Sequence, residues 1–570
     1  MKILGYEFYM ASSLEKVFPD KRPGELEKGS TLSLWGGTCG AVQLVYTKDE
    51  KNEFPPLLDF EIEVSGAPCK AKIEKVELIP SDFPCYEIRD EHYITDQPGM
   101  FPDLLMPVKN TFVKPLGGWY RSLWISFELP KGVKPGDYKV EIKAKAVYKK
   151  QLPNGVLFEV PEAEGLTFIN EIVIKVGKMQ LPKQRLIHTE WLHADSIADY
   201  YGTEIFDERH WKIIEKFIGS AAKHNVNMLL TPVFTPPLDT EFGGERRTVQ
   251  LVDITKTGNK YAFNFDKLHR WCDLCKKYGV DYLEIPHFFT QWGAAAAPKI
   301  VADLDGKKQK IFGWETCASG KEYREFLEQF IPELQKKLEK LGYDLEHVYY
   351  HISDEPSEKQ IEAYKAAREN IRDLLPEDQI IDALSSLKFY KEGIISHPVP
   401  GTSEVDEFYK AGVKNLWVYY CCVQAKDVPN RFFAMESART RIMGVLMYLY
   451  NIEGFLHWGF NYYYTQYSKE PVNPFVMTHA GYAFASGDAF LVYPGNDGEP
   501  LDSIRAEVQD EGLTDLRALQ LLESLSDREY VENIIYENIP EKTMNFKNYP
   551  HSSKWLLELR ERIAEEIEKI

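Results

Sequence analysis

A chain of 570 residues is too long for one small core, so two or three domains are expected. Its 44% hydrophobic and 27% charged content is that of a soluble globular protein. A net charge of −19 argues against a nucleic-acid partner, whose phosphates require clustered Lys and Arg.

Residues 1–180 read as a β-sandwich. The N-terminal "MKILGYEFYMASSLEKVF" carries one early Lys and a short apolar run broken by Glu7, and it reads as a first strand, not a signal peptide. "SLWISFEL" and "YKVEIKAKAVY" alternate apolar and polar residues at the strand period. "KGVKPGDYKVEI" places a Pro-Gly-Asp turn directly before a strand.

After Leu181-Pro182 strands and helices alternate, which predicts a (β/α)8 TIM barrel over 181–500. The candidate strands are "RLIHTEWLH" (185–193), "VNMLLTPVF" (226–234), "VDYLEIPHF" (280–288), "HVYYHISDE" (347–355), "QIIDALS" (379–385), "GIISHPV" (393–399), "KNLWVYYCC" (414–422) and "GFLHWGF" (454–460). The connections around 385–413 are short, so the fifth and sixth strands are the weakest in the pattern. The connection 289–320 is long enough to be a partial lid or a surface excursion. Residues 501–570 carry apolar residues at helical spacing and are expected as a helical extension packed on the barrel.

No run of about 18 apolar residues exists, so no transmembrane helix is expected. The eight Cys show no disulfide framework. Cys272 and Cys275 sit on an amphipathic helix with no second ligand pair, so no zinc site is expected there. A reducing, cytoplasmic location follows as the expectation. The His residues are scattered, and neither a metal nor a cofactor is expected.

The chemistry concentrates in "VYYHISDEPS", residues 348–357. Asp-Glu occurs six times in the chain, so the dipeptide alone says little. The pair Asp354-Glu355 differs in falling at the end of the fourth strand, where a barrel carries its active site. Pro356 stops the strand and Ser357 can cap the next helix, so the competing reading is a pair of acids favoured by a helix start. Other strand ends offer Glu190, Trp191, His193, His287, Gln291, Trp292, Trp417, Tyr419, Tyr420, His457, Trp458, Asn461 and Tyr463. Of these, His287, Tyr420, Trp458 and Asn461 are the expected substrate contacts. Alternation along a strand means that not all of them can face one pocket.

Two carboxylates near aromatic walls suggest glycoside hydrolysis, yet adjacent residues cannot flank a scissile bond from opposite sides. They suit substrate-assisted catalysis, in which the sugar's 2-acetamido oxygen attacks the anomeric carbon. Glu355 would then be the general acid/base, and Asp354 would orient the acetamido group and stabilise its charge. A like charge next door would raise the acid's pKa.

With "HISDEP", "GFLHWGFNYY" and "YPG…DSIRAEVQDEGLTDLRALQLL" (493–522), the chain resembles glycoside hydrolase family 123, the β-N-acetylgalactosaminidases, over nearly its whole length. The resemblance implies a retaining exo-enzyme releasing terminal β-linked N-acetylgalactosamine from glycosphingolipid-type glycans, with Asp354 and Glu355 as its acid pair. The glycan is then the partner, with no nucleic acid and no membrane, and a homodimer is left open. Three alternatives remain: a broader β-N-acetylhexosaminidase, a glycosidase pairing Glu355 with Glu190 or Glu284, and a non-catalytic glycan-binding protein.

Overall fold

The computed structural model describes residues 2–49, 58–151 and 155–570. Two five-stranded sheets face each other at the N-terminus. One runs Tyr6–Ser12, Cys39–Lys48, Arg121–Glu128, Lys72–Ser81, Gly99–Pro107 in spatial order; the other runs Thr31–Leu34, Thr167–Val176, Gly136–Val147, Asp59–Ser65, Phe112–Val113. Strict alternation sends Val140, Ile142 and Ala144 inward, where they meet Phe8, Phe60 and Phe168 from the other strands. The strand Arg121–Glu128 is buried on both faces because Trp124 points away from this core, into the one it shares with the second half of the chain.

The second half is built on eight short strands: Ile187–Glu190, Met228–Leu230, Tyr282–Ile285, Val348–Tyr350, Ile381–Ala383, His397–Val399, Trp417–Tyr419 and Gly454–His457. Six form one parallel ladder in the order fourth, third, second, first, eighth, seventh. The fifth and sixth pair only with each other, and meet the ladder through isolated bridges at Tyr350–Ile380 and Gly401–Tyr419. The sheet is therefore an open, curled ladder with a short pair across its gap, not the regular closed eight-stranded barrel expected. On the side of the seventh strand, Pro398 and Pro400 have no N–H to donate, and the bridge there runs through the Pro400 carbonyl and the Thr402 N–H. The segment joining these two strands holds only the four-residue helix Lys388–Lys391.

Inward-facing residues fill the curl. Ile187, Met228, Leu230, Tyr349, Ile381, Val399, Trp417 and Leu456 form one apolar cluster. Gly454 is required here, because a Cβ at this position would lie 1.9 Å from the Trp417 ring. The connection 289–320 is not a loose lid. Its hairpin Ile300–Leu304/Lys307–Phe312 pairs with the hairpin Asp253–Thr257/Lys260–Asn264 to make a four-stranded sheet. The helix Ile504–Leu525 is buried along nearly its whole length and crosses Met443–Leu449 so closely that a Cβ on Gly444 would lie 1.9 Å from the Gly512 carbonyl oxygen. The last helix, Ser553–Lys569, returns to the sandwich, where Ser33 Oγ donates to Glu561 at 2.8 Å. Among the described residues no helix is long and apolar enough to cross a membrane, and all eight cysteines are free.

Candidate active site

The fourth strand ends at Tyr350, and Asp354-Glu355 follow on a segment stitched to its neighbours on both sides. From the fifth strand, Asp382 accepts from the backbone N–H of Ile352 at 3.0 Å and of Ser353 at 3.4 Å. The Trp292 N–H donates to the Asp354 carbonyl at 2.9 Å, and the Glu355 N–H donates to the Ala383 carbonyl at 3.1 Å. Glu355 is thereby held at φ 43°, the left-handed region, which costs a non-glycine residue roughly 1–2 kcal/mol. Non-glycine strain of this kind gathers at functional sites, and Asp239 and Trp292 beside it also have positive φ. Ser357 opens the next helical turn, its N–H donating to Gln360 Oε1 at 2.9 Å.

Both carboxylates open into a cavity of about 180 Å³. That is below the roughly 300–1,000 Å³ of sites for drug-sized ligands, a scale that suits a single sugar ring. Trp191, His193, Asp239, Gln291, Trp292, Tyr419, Trp458 and Phe484 line it with them. Burial, then the charge of Glu355, pushes the Asp354 carboxyl well above the usual carboxylate range. Burial also raises Glu355, but less freely, because the Tyr419 hydroxyl donates to its Oε1 at 2.7 Å and favours the ionised form. Burial and the charge of Glu355 in turn raise the Tyr419 phenol, which therefore stays a donor.

A charged network underlies the pair. His351 donates from Nδ1 to Asp382 at 3.1 Å and from Nε2 to Glu284 at 2.6 Å. Burial opposes the imidazolium, yet these two acids raise His351 to about 10. Tyr364 donates to Asp382 at 2.5 Å, and Trp191 Nε1 donates to Glu284 at 2.7 Å. Glu190 is held just as firmly elsewhere: Arg431 grips it with two bonds of 2.6 and 2.8 Å. Glu190 and Glu284 are both fully buried and neither lines the cavity. His193 reaches the cavity as the neutral imidazole. Burial, then the nearby Arg246, lowers it to about 4, and its Nε2 donates to the Trp458 carbonyl at 2.8 Å.

The expected substrate contacts divide. Trp458 lines the cavity, with Nε1 donating to Asp488 at 3.1 Å. His287 does not: it is buried below, stacked on His351 at 4.2 Å, with both ring nitrogens unpartnered. Tyr420 points into the outer core, where its hydroxyl approaches Gln509 at 3.4 Å. It is Tyr419 that faces inward, because successive residues on the seventh strand alternate and Trp417 already occupies the inner face. Asn461 is a brace, exchanging bonds of 2.9 and 3.1 Å with the His193 backbone. Asp239, Gln466 and Phe484 were not anticipated; they arrive on long loops, where neither strand period nor a motif marks them. Asp239 accepts from the Tyr462 hydroxyl and, at 2.9 Å, from the Tyr467 N–H.

The profile described as "Glycoside hydrolase 123, catalytic domain" matches residues 191–522. Among solved structures the chain resembles a family 123 glycoside hydrolase from Clostridium perfringens, described for glycolipid glycan hydrolysis. The two are 15% identical, with 99% of this chain and 97% of that one covered, at a TM-score of 0.71. A Thermobacillus composti GH10 xylanase is 13% identical over 58% of this chain and 97% of its own, at a TM-score of only 0.28. No curated protein sequence matches. The catalytic-domain match spans more than half the chain and contains the Asp354-Glu355 site, so the protein is a glycoside hydrolase and belongs to glycoside hydrolase family 123.

Proposed function

We propose that the protein is a retaining exo-β-N-acetylgalactosaminidase that uses the substrate's own 2-acetamido oxygen as nucleophile. The observation that carries this reading is the company of the acid pair. Asp354 and Glu355 face the cavity, whereas the two other acids considered as a conventional nucleophile are committed elsewhere, Glu190 to Arg431 and Glu284 to His351 and Trp191. Asp239, the third carboxylate of the cavity, is engaged by the Tyr462 hydroxyl and the Tyr467 N–H, so in this reading the sugar's own acetamido oxygen supplies the nucleophile.

In this reading the acetamido N–H donates to Asp354, which favours the ionised form of Asp354 and leaves the shared proton to Glu355. Glu355 protonates the leaving oxygen while the acetamido oxygen closes on the anomeric carbon to give an oxazolinium ion. Asp354 stabilises that cation, and the ionised Glu355 then deprotonates the water that opens it. Tyr419 can pass its hydroxyl from Glu355 to the acetamido oxygen once the sugar is bound. Trp191, Trp458 and Phe484 supply the apolar wall for the acetamido methyl and the sugar face. The Clostridium relative's description supports glycolipid-type glycans as the source of the terminal sugar. The cytoplasmic location is part of the same proposal, supported by eight free thiols.

The test is hydrolysis of 4-nitrophenyl β-N-acetylgalactosaminide and β-N-acetylglucosaminide by wild type and Glu355→Gln. Cleavage of the galactosaminide alone, lost in the variant, is the expected result. Equal rates on both sugars would make the enzyme a broader hexosaminidase, and no turnover of either would overturn the reading.

A further inference from the structure

The loop that brings Asp239 to the cavity continues outward to Phe242, which is 76% exposed. Phe242 is nevertheless supported. Its ring packs on Trp314 with centroids 5.0 Å apart, and Trp314 is pinned by Nε1 donating to the Gly244 carbonyl at 2.8 Å. Trp314 follows the hairpin Ile300–Leu304/Lys307–Phe312, so the two rings come from the two loops that share the four-stranded sheet.

The pair is continuous with the cavity. Asp239 and Phe242 are separated by three Cα–Cα steps, at most about 11 Å. Thr240, between them, donates its N–H to Gln291, a cavity residue, at 3.3 Å. Glu241 bridges to Lys469 at 3.0 Å, and Lys469 lies over the Tyr467 ring, which meets Trp292 edge-on at 5.9 Å. Two ring pairs, Trp292–Tyr467 at the cavity and Phe242–Trp314 outside it, are therefore joined through the Lys469–Glu241 ion pair. A single exposed aromatic needs no explanation, but this one is backed by a second ring and sits three residues from Asp239 at the cavity.

We infer that Phe242 and Trp314 form a stacking platform for the sugars on the leaving-group side of the substrate glycan, one or two rings beyond the terminal residue. The inference rests on the glycan-hydrolysing reading above and names where the rest of the glycan lies. The apolar face of a hexose ring can stack on a single aromatic face; the two rings are tilted by 53°, so the exposed Phe242 offers that face and Trp314 supports it from the side.

The experiment compares kcat/KM for a trisaccharide ending in β-linked N-acetylgalactosamine with that for 4-nitrophenyl β-N-acetylgalactosaminide, in wild type, Phe242→Ala and Phe242→Trp. The ratio is expected to fall about fivefold or more in Phe242→Ala, the equivalent of one aromatic contact, and to recover in Phe242→Trp. An unchanged ratio would overturn the platform while leaving the proposed function standing. Wild-type turnover of neither substrate would overturn the proposed function and the platform together.

Discussion

Tyr419 donates its hydroxyl proton to Glu355 at 2.7 Å, whereas Asp354 next door is raised further by burial and by the charge of Glu355. This one bond makes two adjacent carboxylates inequivalent. Burial raises both carboxyls, and a ligand that donates to Asp354 would favour its ionised form and leave the proton to Glu355. The general acid would then be armed by binding.

Tyr419→Phe removes the bond that holds the pKa of Glu355 down. The pH profile of kcat/KM is expected to move to higher pH, with a loss of about tenfold or more at neutral pH from one missing bond to a charged group. A pH–rate profile of wild type and variant measures both. An unshifted profile would show that Tyr419 does not tune Glu355.

Asp382 is the fixed point beneath the site, accepting from His351, Tyr364 and the Ile352 and Ser353 N–H groups. Asp382→Ala strips a buried imidazolium of one partner and leaves two backbone donors unpaired. A destabilisation of about 3–5 kcal/mol is expected in urea unfolding, with activity falling as well because the acid pair loses its anchor. Full activity in a folded Asp382→Ala variant would contradict this role.

A second buried imidazolium lies away from the site. His224 is held between Asp510 at 2.5 Å and Asp502 at 2.9 Å, and although burial opposes its charge, these acids raise it to about 10. A histidine whose pKa rises on folding contributes stability that is fully present below its unfolded value, near 6.5, and is lost as pH rises through 10. Urea midpoints measured from pH 6 to 10 are expected to converge between wild type and His224→Gln, the variant being weaker at the acid end. Parallel curves would contradict the charged pairing.

The sandwich was legible because "YKVEIKAKAVY" alternates cleanly and only one face of its sheet is buried in the sandwich core. The position of the acid pair was legible in outline, because Pro356 and the following helix bound the run, although the strand itself ends at Tyr350 and the pair follows it. What lay beyond local pattern was set by tertiary contacts. The fifth and sixth strands pair with each other and meet the ladder only through single bridges, a departure that the strand pattern does not show. Parity decided between Tyr419 and Tyr420, and it could have been counted from Trp417. His287 ends a strand-like run, yet lies under the cavity, packed on His351. Asp239 and Phe484 come from loops whose paths depend on contacts far along the chain, so no reading of neighbouring residues could place them.

The central claim is that the substrate's acetamido oxygen is the nucleophile, and its electron density can be changed without touching the enzyme. The measurement is kcat/KM for 4-nitrophenyl β-galactosaminides carrying N-acetyl, N-fluoroacetyl, N-difluoroacetyl and N-trifluoroacetyl groups. Each fluorine weakens the carbonyl oxygen as a nucleophile, so a steep, stepwise fall of about a hundredfold or more in total is expected, equivalent to about 3 kcal/mol of barrier. A rate that does not change along the series would contradict the claim and point to a carboxylate of the protein as the nucleophile.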